Sequence, residues 1–161
     1  MYLYHVKKNS DFEMFLKIKS DPTAILWSGF TDAPNREKLY EHFSKLIQND
    51  KIYLYYLMDE NNNVIGYCRI NYIDEITCES DGVSILSEYQ GKGMGNEIHR
   101  LKKLKAKELG FEKMIGCVSE NNIPSRKNME NNEWFLVDGF EYRRLEAFNR
   151  TDKFLHYEVI L

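Results

Sequence analysis

The chain has 161 residues, a length that predicts one domain spanning residues 1–161. Hydrophobic residues make up 43% of it and prolines number only 3, which supplies a packed core and excludes general disorder. A formal charge of −3, from 22 basic and 25 acidic side chains, lacks the positive excess that a phosphate backbone demands, so nucleic acid is not an expected partner.

The first strand is expected near the N-terminus. Ser10-Asp11-Phe12-Glu13 then has the spacing of a capping box, and Phe12, Phe15 and Leu16 recur at helical intervals behind it. This helix should fade near Asp21-Pro22, and residues 24–30 read as an apolar connection before Pro34 opens a second helix to about Gln48. Residues 51–58 and 64–73 read as a hairpin around Asp59-Glu60-Asn61-Asn62-Asn63. The longest apolar run, from Ile52 to Met58, is far short of the roughly 20 residues of a membrane helix. The N-terminus carries its lysines after its apolar residues, unlike a secretory signal. A cytoplasmic protein without a membrane partner is expected.

A further strand, 76–86, leads through a glycine-rich turn into a helix. There Ile98, Leu101, Leu104 and Leu109 mark one face and Lys102, Lys103, Lys105 and Lys107 a solvated one. Beyond Gly110 follow a strand at 113–118, a helix at 124–131 and two strands at 134–143 and 154–161. The order β-α-α-β-β-β-α-β-α-β-β implies an α+β domain with one central sheet flanked by helices. Cys68, Cys78 and Cys117 are odd in number, have no nearby histidines and lie in apolar segments, so they are expected to be reduced core residues. His5, His42, His99 and His156 lack ligand spacing, and no metal is expected.

The stretch Gln90-Gly91-Lys92-Gly93-Met94-Gly95 is where chemistry concentrates. Glycines at a strand-to-helix turn allow positive φ and expose successive N–H groups, and the helix start adds unsatisfied donors and partial positive charge. A diphosphate suits such a cradle. Two familiar nucleotide motifs fail on spacing: the sixth position from Gly91 is Asn96, not Gly, and no Gly-Lys-Ser/Thr string occurs.

The loop resembles the Gln/Arg-x-x-Gly-x-Gly/Ala pyrophosphate loop of the GNAT superfamily of acetyl-coenzyme A dependent N-acetyltransferases. Asn122-Ile123-Pro124-Ser125, followed by Met129-Glu130, resembles that family's second signature. The resemblance implies a mixed, mostly antiparallel sheet whose fourth and fifth strands splay apart to admit acetyl-coenzyme A. It assigns the pyrophosphate to N–H groups of Gln90, Gly91, Lys92, Gly93, Met94 and Gly95. Backbone of Ile85 and Leu86 pairs with the pantetheine, and Asn122 and Ser125 lie beside it, Asn122 reading equally as a helix cap. An N–H at Leu86 or Ile85 serves as oxyanion donor. Glu79 is the implied base, with Asp81 on the same face; both acids also suit a solvent-facing strand start.

The family's usual thiolate-protonating Tyr, seven residues after the motif Asn, is Met129 here. That departure resembles the branch of ribosomal-protein N-terminal acetyltransferases and their small-molecule relatives, and leaves water, Tyr89 or Tyr142 for the proton. Glu133-Trp134 stands where Gly-Phe is usual. Trp27, Phe30, Trp134 and Tyr142 are candidates to line the acceptor site. The implied partner is a small-molecule amine, with a protein N-terminus as the alternative acceptor and a catalytically silent coenzyme A-binding module as the alternative function, in a monomer or homodimer.

Overall fold

A computed structural model describes residues 1–161. Its strands β1 (Tyr2–His5), β2 (Ile52–Met58), β3 (Val64–Tyr72), β4 (Thr77–Ile85), β5 (Lys113–Ser119), β6 (Phe135–Leu145) and β7 (Arg150–Ile160) form one sheet in the order β1-β2-β3-β4-β5-β7-β6. Every neighbouring pair is antiparallel except β4 with β5, so the α+β architecture with a mixed, mostly antiparallel sheet holds.

Strand alternation sends apolar side chains to both faces, and the helices α1 (Phe12–Lys19), α2 (Pro22–Ser28), α3 (Arg36–Gln48), α4 (Met94–Glu108) and α5 (Ile123–Glu130) cover them. On one face α1 and α3 bury Phe12, Phe15 and Phe43 against Leu54, Tyr56 and Tyr67. Phe15 and Phe43 are wholly inaccessible, and burial of each stabilises the fold by roughly 1.5–3 kcal/mol. On the other face α4 and α5 pack Ile98, Ala106 and Met129 against Cys68, Ile70, Cys78, Met114 and Tyr157.

Three local expectations change. Residues 24–28 are helical, not a loop: Asp21 caps α2 by accepting the Thr23 N–H at 3.0 Å, Pro22 fits its first turn, and Gly29, at φ +84°, ends it. Ser10 does not cap α1. Residues Asn9–Asp11 form a 3-10 turn, and the Asp11 carboxylate accepts the Lys8 N–H at 3.3 Å. In α4 Leu104 is exposed, as is Leu109 at its C-terminal cap, whereas His99 and Lys102 turn inward. No helix is long and apolar enough to cross a membrane.

Candidate active site

Strands β4 and β5 pair over only three positions, Thr77 with Lys113, Cys78 with Met114 and Glu79 with Ile115. Beyond Glu79 and Ile115 they part, although β4 continues to Ile85 and β5 to Ser119. The β3–β4 register slips between Tyr67/Ser84 and Arg69/Asp81, where Gly82 and Val83 oppose the single residue Cys68. Gly82 takes φ +58°, and a Cβ there would lie 2.7 Å from the Tyr67 hydroxyl, so the bulge requires glycine. The bulge re-aims the end of β4 along the gap.

At the mouth of the gap a 3-10 turn, Ser87–Tyr89, and the glycine loop lead into α4. Gly91 and Gly93 take φ +71° and +79° with open space around them. The N–H groups of Gly91, Lys92, Gly93, Met94, Gly95 and Asn96 make no hydrogen bond within the protein: the backbone bonds flanking this run are Gln90 N–H to Ser87 C=O and Glu97 N–H to Gly93 C=O. Six successive free donors at a helix start give the turn the geometry of an anion cradle, with Asn96 added to the residues the sequence points to. Gln90 drops out of it as a donor. Its N–H is spent on Ser87, and its side chain donates to the Ile85 carbonyl at 2.9 Å, tying the loop to β4. Gly95 serves packing as well, since a Cβ there meets the Asn128 amide of α5. Lys92 folds onto the Glu88 carbonyl at 2.9 Å, and Arg100 is held by Glu97, so neither guanidinium nor ammonium reaches over the cradle.

The cradle is clamped to the opposite layer. The Asp21 carboxylate accepts the Ser87 N–H at 2.9 Å and the Ser87 hydroxyl at 2.7 Å. Burial opposes its charge, but these bonds and that from Thr23 hold the carboxyl below its usual range.

Of the two oxyanion candidates, Leu86 is excluded because its N–H donates to the Ile65 carbonyl at 2.9 Å. That bond makes Ile85 and Gly66 a wide, non-hydrogen-bonded pair and turns the Ile85 N–H away from β3, toward the gap. Asn122 is the N-cap of α5, accepting the Ser125 N–H at 3.2 Å. Its carbonyl oxygen is therefore engaged as a cap, and Ser125 sits half-buried in the first turn behind it.

Glu79 and Asp81 alternate with Cys78 and Ser80 and so lie on the α1/α3 face of the gap. Asp81 is paired with Arg69, whereas Glu79 accepts only from the neutral Asn71 amide at 3.0 Å. Across the gap on the same face stands a group that sequence reasoning missed: Cys117 of β5, whose Sγ accepts from Arg143 at 3.2 Å, and Glu141, paired with Arg143. The signal was available in the alternation of β6, which puts Glu141 and Arg143 on one side and Phe140 and Tyr142 on the other.

The aromatic candidates separate accordingly. Tyr142 packs edge-on against Phe140, away from Cys117, and leaves the acceptor face. Trp134 is 3% exposed in the α4/α5 core, against His99, because a large ring fills the space beside Gly116. It does not line an acceptor pocket. Trp27 packs on Phe148 at 4.9 Å and Phe30 stands exposed after α2. Cys68 and Cys78 are buried free thiols, and Cys117 is a half-buried one. No three His, Cys, Asp or Glu side chains converge as a metal site.

A parted parallel strand pair with a glycine turn of free N–H groups at its mouth is the frame of the candidate site. The sequence model of the acetyltransferase (GNAT) domain matches residues 1–133, and the chain belongs to that family. Among solved structures, the spermidine N-acetyltransferase of Vibrio cholerae, in complex with CoA and spermine, superposes with TM-score 0.83 at 17% identity, over 98% of this chain and 94% of that one. The GNAT phosphinothricin acetyltransferase of Sinorhizobium meliloti, in complex with acetyl-CoA, gives 0.77 at 17% identity, over 99% and 87%. No curated protein sequence matches significantly.

Proposed function

We propose that the chain is an acetyl-coenzyme A dependent N-acetyltransferase acting on a primary amine of a small molecule. The observation that carries this is the run of six unpartnered backbone N–H groups at the mouth of the β4/β5 gap. The cradle residues 91–96 hold the diphosphate, and the Ile85 N–H, aimed into the gap, binds the developing oxyanion. Acetyl-coenzyme A supplies the activated acetyl group. Glu79 takes the proton of the incoming ammonium, since it is free of an ion pair whereas Asp81 is held by Arg69. Trp27, packed on Phe148, and Phe30, exposed after α2, are assigned to the acceptor side. Similarity to polyamine and phosphinothricin acetyltransferases supports a small amine as acceptor. Met129 supports a place in the branch resembling ribosomal-protein N-terminal acetyltransferases.

Purified protein should be stabilised by acetyl-coenzyme A, and not by adenosine diphosphate or NAD at equal concentration. At about 100 times the dissociation constant the gain is roughly 2.7 kcal/mol, several degrees in Tm. A panel of polyamines, amino acids, amino sugars and N-terminal peptides should then release coenzyme A thiol with a small amine. Absence of any coenzyme stabilisation at millimolar ligand refutes the reading; stabilisation with no turnover leaves a silent binding module; turnover confined to peptides moves the acceptor to a protein N-terminus.

A further inference from the structure

Lys102, in the third turn of α4, is wholly inaccessible and has no carboxylate partner; its one hydrogen bond is to the Ser80 hydroxyl. The ammonium lies 5.9 Å from the Trp134 ring centroid, and the flanking thiols Cys68 and Cys78 are themselves pushed up to about 12 by burial and carry no charge. Beside it two further polar atoms are buried without partners, His99 Nδ1 and Trp134 Nε1. A lone buried cation weakens a fold, so its place needs a reason.

Its place is the vertex of the strand gap. Ser80 is the first residue after the last β4–β5 pair, and Gly116 is its counterpart on β5. A Cβ on Gly116 would stand 3.5 Å from both Ser80 Cβ and Met129 Cε and 3.3 Å from Trp134. The one hydroxyl among these side chains is therefore backed by an ammonium, and it faces the position, Met129, where the family's thiolate-protonating tyrosine is missing.

We propose that Ser80 protonates the departing sulfur and that Lys102 is the positioning residue that supplies the proton through it; this rests on the acetyltransferase reading above. As the C–N bond forms and the C–S bond breaks, sulfur keeps the electron pair and takes the Ser80 hydroxyl proton. The Lys102 ammonium replaces that proton, and the neutral amine regains one from solvent between turnovers. Burial pushes the Lys102 ammonium down to about 8, which makes it a ready donor near neutral pH. From α4 the other titratable neighbours are Lys103 and His99, and burial holds His99 far below its usual range and neutral.

The test compares binding of coenzyme A with binding of desulfo-coenzyme A, which lacks the sulfur, by calorimetry at pH 7 and pH 9, with the ultraviolet absorbance of the bound thiolate. The wild-type protein should show thiolate at lower pH than free coenzyme A, and its preference for the thiol should be slight at pH 7, where the thiol stays protonated, and grow toward about tenfold at pH 9 for a one-unit fall in the thiol pKa. Lys102→Met and Ser80→Ala should both lose that preference and that signal while binding desulfo-coenzyme A normally. Equal weakening toward both ligands would reduce Lys102 to a structural role, and a preference surviving in both variants would overturn the proposal. Wild-type binding of both ligands without discrimination at pH 9 overturns it and leaves the cradle intact; binding of neither removes the coenzyme reading itself.

Discussion

Glu79 and Asp81 differ by one hydrogen-bond partner, and that difference decides which can act as a base. Asp81 would have to break its pair with Arg69 to accept a proton, whereas Glu79 gives up only an amide bond from Asn71. Glu79→Gln should therefore reduce turnover most at neutral pH, on the order of 10²-fold as is typical of a lost general base, and progressively less toward pH 10, where free amine is abundant. A flat ratio across pH would assign the proton to water. At this scale the sequence announced the glycine loop, because backbone donors need only glycines at set spacing. It hid Lys102, because spacing misled the choice of helix face. Ile98, Leu101 and Leu104 recur every third residue and rotate by about 60° each step, carrying Leu104 to solvent; Ile98, Lys102 and Ala106 recur every fourth, rotate less, and form the inward row.

Elements were legible where periodicity and breakers agreed, and less so where a helix was short. Helix α2 has seven residues, too few to show an amphipathic stripe, and its signals were single residues: Asp21 as cap, Pro22, Gly29. The turn joining α5 to β6 shows the opposite case, a departure visible in sequence with a clear physical meaning. Glu133 stands where the family has glycine and takes φ +68°, a left-handed conformation costly for a side chain with a Cβ. Its carboxylate meets Lys103 at 2.8 Å but is itself largely exposed, so the pair returns little. Glu133→Gly should stabilise the protein by about 0.5–1 kcal/mol in urea denaturation, the relief of strain exceeding the lost pair and the added chain entropy. A loss of stability would show that the Lys103 contact, which also reaches the Asn132 carbonyl at 2.7 Å, anchors the turn.

Across the whole molecule, buried titratable groups set opposing pH dependences that one substitution can separate. Asp21 and Asp152 are held below the usual carboxylate range, Asp152 chiefly by Arg150; their contribution is full above about pH 4 and lost as acid protonates them. The thiols of Cys68 and Cys78 and the hydroxyls of Tyr55 and Tyr56 are raised by burial. Their contribution is full at neutral pH and falls from about pH 8.5 for the thiols and about pH 10 for the tyrosines, where the unfolded chain ionises first. Lys102 runs the other way. Its folded pKa of about 8 lies below the unfolded value of about 10.4, so the unfolded chain binds the extra proton between them, and the penalty shrinks as pH rises through that window. Lys102→Met fills the same core space without a charge and should be the more stable protein at pH 7, by on the order of 3 kcal/mol for a shift of this size. The advantage should narrow from pH 8 and vanish near pH 10.5, while the decline due to the thiols and tyrosines remains in both proteins. Urea midpoints at pH 7 and pH 10 measure the difference directly. A constant gap would mean that the lysine titrates in the fold as it does in the unfolded chain, and a destabilised Lys102→Met would mean that the Ser80 contact outweighs the buried charge.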